Sequence, residues 1–279
     1  MKIIECPRDA MQGIKDYIPT AQKVAYLNSL LKVGFDTLDF GSFVSPKAIP
    51  QMRDTANVLS RLEDSNTRLL AIVANKRGAD EACSFDRIDY LGYPFSVSEN
   101  FQKRNTNKSI DQSLSLVEQL QNSCVKHHKS LVVYMSMAFG NPYGEHWHED
   151  IVAKWGEKLY DLGVKIIALS DTTGVSNTNN IKHLFSLLIK EYQQIEWGAH
   201  LHTHLESWRE KVVAAYNSGC RRFDGAIKGY GGCPMAEDDL VGNMPTEKLL
   251  SFTQEKKIET AINTLAFESA YNKAIDLFL

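Results

Sequence analysis

The sequence predicts an α/β fold, a (β/α)8 barrel of the TIM type with extra helix at its C-terminal end. Three observations support this. Short apolar runs alternate with longer amphipathic stretches along the whole chain, and eight of the runs have strand length. The spacing is about 35 residues per strand–helix unit, close to what a barrel of roughly 250 residues requires. No low-complexity linker, internal repeat or composition break divides the 279 residues, so one domain is expected: barrel about 1–246 and helical extension about 247–279. Strand counting leaves a doubly wound open sheet as the alternative.

The expected strands are Lys2–Glu5, Thr37–Phe40, Leu69–Ala74, Ile88–Gly92, Ser130–Met137, Lys165–Leu169, Glu196–His202 and Arg222–Gly225. Helical periodicity is clearest in Ala21–Lys32, where Val24, Leu27, Leu30 and Leu31 recur at three-to-four spacing. Ser113–Gln121, Ile151–Leu162 and Ile181–Tyr192 follow the same pattern. Gly34 and Gly163 are placed to end helices. Glu247–Leu279 reads as helix beyond the eighth strand.

With 31 Lys+Arg against 34 Asp+Glu, the near-neutral balance argues against nucleic acid or an anionic membrane surface as partner. No apolar run has the length of a membrane span, and the start of the chain has no signal-peptide pattern, so a cytoplasmic protein is expected. The five cysteines, Cys6, Cys83, Cys124, Cys220 and Cys233, are scattered and odd in number, which suits reduced thiols rather than a disulfide framework. The sequence leaves assembly open, with a homodimer to be tested.

In a barrel, chemistry sits at the C-terminal ends of the strands. His200 and His202 are two apart on the seventh strand, so their imidazoles share a side. Two neutral imidazoles, with Asp9 and Asn243 as oxygen donors, would suit Mg²⁺ or Mn²⁺; the other reading is a pair of hydrogen-bonded strand histidines. His146 and His148 have the same spacing but follow Asn141-Pro142-Tyr143-Gly144, which places them in a loop or helix start with weaker claim to a metal. Arg8 and Asp9 fall in the loop after the first strand, where a surface ion pair is the expectation from spacing alone. Asp171 is either an acid/base or the cap of the helix after strand six. Cys233, flanked by Gly231, Gly232 and Pro234, is an accessible thiol or an incidental turn residue. Gly229–Gly232 is a weak phosphate loop with no nucleotide-binding spacing. The remaining cysteines are packing residues.

Taken in chain order, Arg8-Asp9 with Gln12, Ser42–Lys47 with Pro50-Gln51-Met52, Asp171-Thr172-Thr173-Gly174, His200-x-His202, and Gly231-Gly232-Cys233-Pro234 with Gly242-Asn243 are far more specific. From about Lys2 to Glu247 the chain resembles the 3-hydroxy-3-methylglutaryl-CoA lyases, within a wider superfamily of metal-dependent barrel lyases and Claisen synthases. The resemblance implies cleavage of that acyl-CoA to acetyl-CoA and acetoacetate. It implies that Asp9, His200, His202 and Asn243 hold the divalent cation. Arg8 would meet the thioester oxygen, and Cys233 would relay a proton. Asp39, where the family commonly has Glu, and Asp171 would support catalysis, with Gln12 and Ser42 on the substrate side. Ala10 and Thr203 depart from the usual residues, and the Cys233–Asn243 spacing is one residue longer than usual. These departures suggest a divergent subgroup, with a related 3-hydroxyacyl-CoA as alternative substrate. The rival readings are a Claisen-type synthase and a non-catalytic acyl-CoA or metal-binding barrel.

Overall fold

A computed structural model describes residues 1–232 and 241–278. Its eight strands pair in parallel in chain order and close into a barrel. They are β1 (Lys2–Glu5), β2 (Thr37–Ser42), β3 (Arg68–Ile72), β4 (Tyr90–Ser96), β5 (Ser130–Ser136), β6 (Ile166–Asp171), β7 (Glu196–Leu201) and β8 (Arg222–Gly225). Closure is made by β1 against β8, with Ile4 opposite Asp224 and Glu5 opposite Gly225. The open-sheet alternative is thereby excluded.

Alternation sorts each strand into two faces. Outward-facing Leu38, Phe40, Leu91, Val133, Ile167 and Phe223 join the main core beneath the helices. Inward-facing Leu70, Ile72, Tyr90, Val132, Tyr134, Ile166 and Ala168 fill the barrel centre. The interior is therefore packed. The fourth strand begins two residues later than expected and runs through Pro94 to Ser96, paired along its length with β5.

The helices are α1 (Pro7–Gln12), α2 (Thr20–Leu31), α3 (Thr55–Leu59), α4 (Lys76–Cys83), α5 (Glu99–Thr106), α6 (Ile110–Lys126), α7 (Glu149–Asp161), α8 (Thr178–Glu191), α9 (Trp208–Asn217), α10 (Thr246–Glu255) and α11 (Thr264–Phe278). Ser109 and Gln112 form a reciprocal capping box that starts α6 three residues before the apolar periodicity begins. That helix buries Leu116, Val117, Leu120 and Cys124, and such aliphatic side chains contribute about 1.5–3 kcal/mol each relative to exposure. Polar α4 buries one face through Ala79, Ala82 and Cys83; Asn75 caps it by accepting from the Gly78 amide. The C-terminal segment is helical as expected, but as two helices. α10 follows β8, and α11 packs on α2, with Phe267 edge-on to Phe35. Among the described residues, no helix is long and apolar enough to cross a membrane.

Candidate active site

The chain turns directly from β1 into α1, a short helix with Pro7 in its first turn, where a missing N–H costs nothing. This corrects the expectation of a loop and a surface ion pair: Arg8 and Asp9 are both buried. Arg8 donates from Nε to both Asp39 oxygens at 3.2 and 3.0 Å and from Nη2 to Asp39 Oδ2 at 2.5 Å. Its Nη1 reaches Asp9 Oδ1 at 3.0 Å and Gln12 Oε1 at 2.8 Å. Gln12 in turn donates to Asp9 Oδ1 at 2.8 Å. Burial opposes the charge on Arg8, but Asp39 and Asp9 overcome it and push its pKa upward. Burial drives Asp39 up to about 6, with Arg8 restraining the rise.

Asp9 is the link to the histidines. Its second oxygen accepts from Asn243 Nδ2 at 2.7 Å, across 234 residues of sequence. Asn243 arrives there because Gly242–Met244 runs antiparallel to the end of β7: Thr203 N donates to Gly242 O, and Met244 N to Leu201 O. The glycine loop packs equally closely. Gly231 has φ +92°, and a Cβ on it would lie 2.8 Å from the Asp9 carbonyl oxygen and from Asn243 Nδ2. Its role here is close approach to α1.

His200 and His202 both face the mouth, with ring centroids 5.5 Å apart. One donor atom each from Asp9, His200 and His202 lie within 4.8 Å of one another. His200 Nδ1 lies 3.1 Å from Asp224 Oδ2, so the carboxylate fixes the tautomer and leaves the Nε2 lone pair outward. Burial works against charging His200, but the Asp224 hydrogen bond and charge, aided by Asp9, raise its pKa. Burial, reinforced by neighbouring His200, lowers His202 to about 4, so it is neutral near pH 7. His202 Nδ1 is buried with no hydrogen-bond partner. A carboxylate and two imidazoles, one of them with an orphaned buried nitrogen, fit a divalent cation.

The cluster opens into a cavity of about 240 Å³, walled on its apolar side by Val44, Ile49, Ile72, Pro94 and Phe101, and also lined by Arg8, Gln12 and Tyr134. Wider hollows of about 590 and 420 Å³ lie elsewhere, around the strand starts at Lys2, Arg68, Tyr90 and Ser130. No His, Cys or carboxylate cluster of metal-holding geometry lies in either among the described residues. The mouth is the chemical end.

Other expected site residues have different places. Ser42 is buried, its hydroxyl accepting from Val44 N, and is not part of the cavity lining. Asp171 is also buried behind the wall, where it accepts from the Ser176 amide and hydroxyl and from Lys211. It does not cap the following helix; Asn177 does. Cys233 lies outside the described residues. Cys6, Cys83, Cys124 and Cys220 are buried free thiols, as expected of packing residues. His148 caps α7, accepting from Asp150 N, and His146 is exposed in the loop before it. Asp224 and Lys211 escaped the sequence reading. For Asp224 the available signal was a carboxylate in the middle of a buried parallel strand.

Fold and site together define a (β/α)8-barrel enzyme built around a cation-competent cluster. The HMGL-like family model matches residues 2–273, and the chain belongs to that family. It is 29% identical over 265 residues to the hydroxymethylglutaryl-CoA lyase YngG of Bacillus subtilis, covering 92% of this chain and 85% of that protein. The mitochondrial hydroxymethylglutaryl-CoA lyase of Bos taurus is 31% identical over 267 residues, covering 94% and 81%. Among solved structures, the Acinetobacter baumannii HMG-CoA lyase in complex with coenzyme A and 3-methylmalate superposes with a TM-score of 0.91 at 29% identity, covering 99% of this chain and 90% of that one. The Bacillus subtilis HMG-CoA lyase gives 0.92 at 28% identity, covering 99% and 92%.

Proposed function

We propose that this protein cleaves 3-hydroxy-3-methylglutaryl-CoA to acetyl-CoA and acetoacetate by a metal-assisted retro-Claisen reaction. The observation that carries this reading is the convergence of Asp9, His200 and His202 beside a buried Arg8 on one cavity. Asp9, His200 and His202, with Asn243 as a fourth donor, would hold Mg²⁺ or Mn²⁺. When bound, such an ion lowers the pKa of an alcohol oriented against it.

The tertiary hydroxyl gives up its proton, matched by the one later delivered to the enolate carbon so that no net proton is gained or lost, and becomes the ketone of acetoacetate. The bond from its carbon to the thioester's α-carbon breaks, and that electron pair forms the enolate of acetyl-CoA. Four of the five Arg8 N–H groups are occupied by Asp39, Asp9 and Gln12, which fixes the guanidinium plane. One Nη2–H remains for the enolate oxygen, where it stabilises charge that develops during the reaction. Asp39 acts through Arg8, because Arg8 donates to both of its oxygens. The apolar wall excludes water from the enolate until a proton reaches its carbon, a role we assign to the Cys233 thiol.

Release of acetoacetate and acetyl-CoA, followed in a coupled assay with and without Mg²⁺ or Mn²⁺, tests the reading. Equal turnover in metal-stripped protein refutes the metal-assisted route. Condensation of acetyl-CoA with a 2-oxo acid in place of cleavage would favour a synthase. Preference for another 3-hydroxyacyl-CoA would move the substrate within the same chemistry.

A further inference from the structure

We propose that Lys211, which touches neither the cavity nor the cation-competent donor atoms, is a positioning residue that sets the place of His202. The inference rests on the ligand assignment proposed above. Lys211 lies in the first turns of α9 and is 2% exposed, a costly place for an ammonium unless each of its three N–H groups has an acceptor. All three do. Nζ donates to the His202 carbonyl at 2.9 Å, to Asp171 Oδ2 at 2.9 Å and to the Gly174 carbonyl at 3.0 Å.

These acceptors come from the end of β6, the loop after it and the residue following β7. The ammonium therefore joins the histidine's own peptide to the neighbouring strand end. That strand end also borders the imidazole's surroundings: Thr172, next to Asp171, lines the same cavity as His202. On its other side the His202 segment is held by Gly242 and Met244, which flank Asn243. Lys211 thus supplies the inner fastening of a residue whose outer fastening carries another proposed ligand. Asp171 is the counter-charge that allows the ammonium to be buried.

Cation affinity in metal-stripped protein tests the proposal, by Mn²⁺ titration with electron paramagnetic resonance of the free ion. The variants are His202→Ala, Lys211→Met and the double variant Lys211→Met/Asp171→Asn. Lys211→Met is expected to weaken Mn²⁺ binding about 10- to 100-fold, the usual size for losing an outer partner of a ligand. The double variant removes the unpaired carboxylate while nearly preserving volume. It should recover thermal stability without recovering Mn²⁺ affinity, because the His202 carbonyl is still unheld. Wild-type affinity in Lys211→Met, or its return in the double variant, would make Lys211 a structural ion-pair partner only and overturn the inference. If Lys211→Met does not fold, the double variant decides by the same criterion. Unchanged Mn²⁺ binding in His202→Ala would instead refute the ligand assignment, and the inference with it.

Discussion

The chain contains the His-x-His spacing twice, and the two copies have different fates. His200 and His202 end a buried parallel strand and face one cavity. His146 and His148 precede α7 in irregular chain; both are exposed, and His148 spends its Nδ1 on the Asp150 amide. Spacing alone therefore carries no chemistry. A period of two aligns side chains only when the backbone is extended, and an aligned pair can serve as a ligand pair only when the fold brings it to one cavity beside a carboxylate.

The largest break in this comparison should come from His202→Ala, which removes turnover and tight Mn²⁺ binding together, measured by the coupled assay and by titration. His148→Ala should leave both unchanged; a loss of Mn²⁺ binding there would reverse the roles of the two pairs. Next in size is Arg8→Gln. In the proposed reaction Arg8 would support charge that exists mainly in the transition state, so kcat should fall on the order of 10²–10³-fold with little change in KM. Normal kcat with raised KM would reassign Arg8 to substrate anchoring.

Burial, which separates the two histidine pairs, has a third test in Glu5. Its carboxyl accepts from Ile227 N and Thr246 Oγ1, holding the start of the glycine loop. Burial is the main cause that raises its pKa to about 8. The folded protein thus keeps a proton that the unfolded chain releases near pH 4.5. Stability from this group is fully present below that pH and is lost as pH rises through about 8. Chemical denaturation of wild type should show a decline over this window, and Glu5→Gln should flatten it by a few kcal/mol. An unchanged slope would show that Glu5 is ionised in the fold.

Smaller still, His148→Ala should cost about 0.5–1 kcal/mol of stability through the lost α7 cap, read from thermal unfolding. His204 is exposed beyond β7, and His204→Ala should leave Mn²⁺ affinity and stability unchanged. A lost Mn²⁺ site in that variant would mean that the histidine register is wrong.

The sequence by itself determined the eight strands, the main helices and the shared direction of His200 and His202. These follow from local periodicity, which a few neighbouring residues encode. It also marked Arg8, Asp9, His200, His202 and Asn243 through motif order, but spacing alone read Arg8 and Asp9 as a surface pair. Tertiary structure decided the rest. Barrel closure sets β8 beside β1 and between it and β7, so that Asp224 reaches His200. Asn243 meets Asp9 because its segment pairs with the end of β7, and Lys211 reaches His202 because α9 folds back beneath it. The opposing charges Asp39 for Arg8, Lys211 for Asp171 and Asp224 for His200 lie 31, 40 and 24 residues away. No local pattern specifies such contacts: they exist only once the chain has closed on itself and each buried charge must find its counterpart.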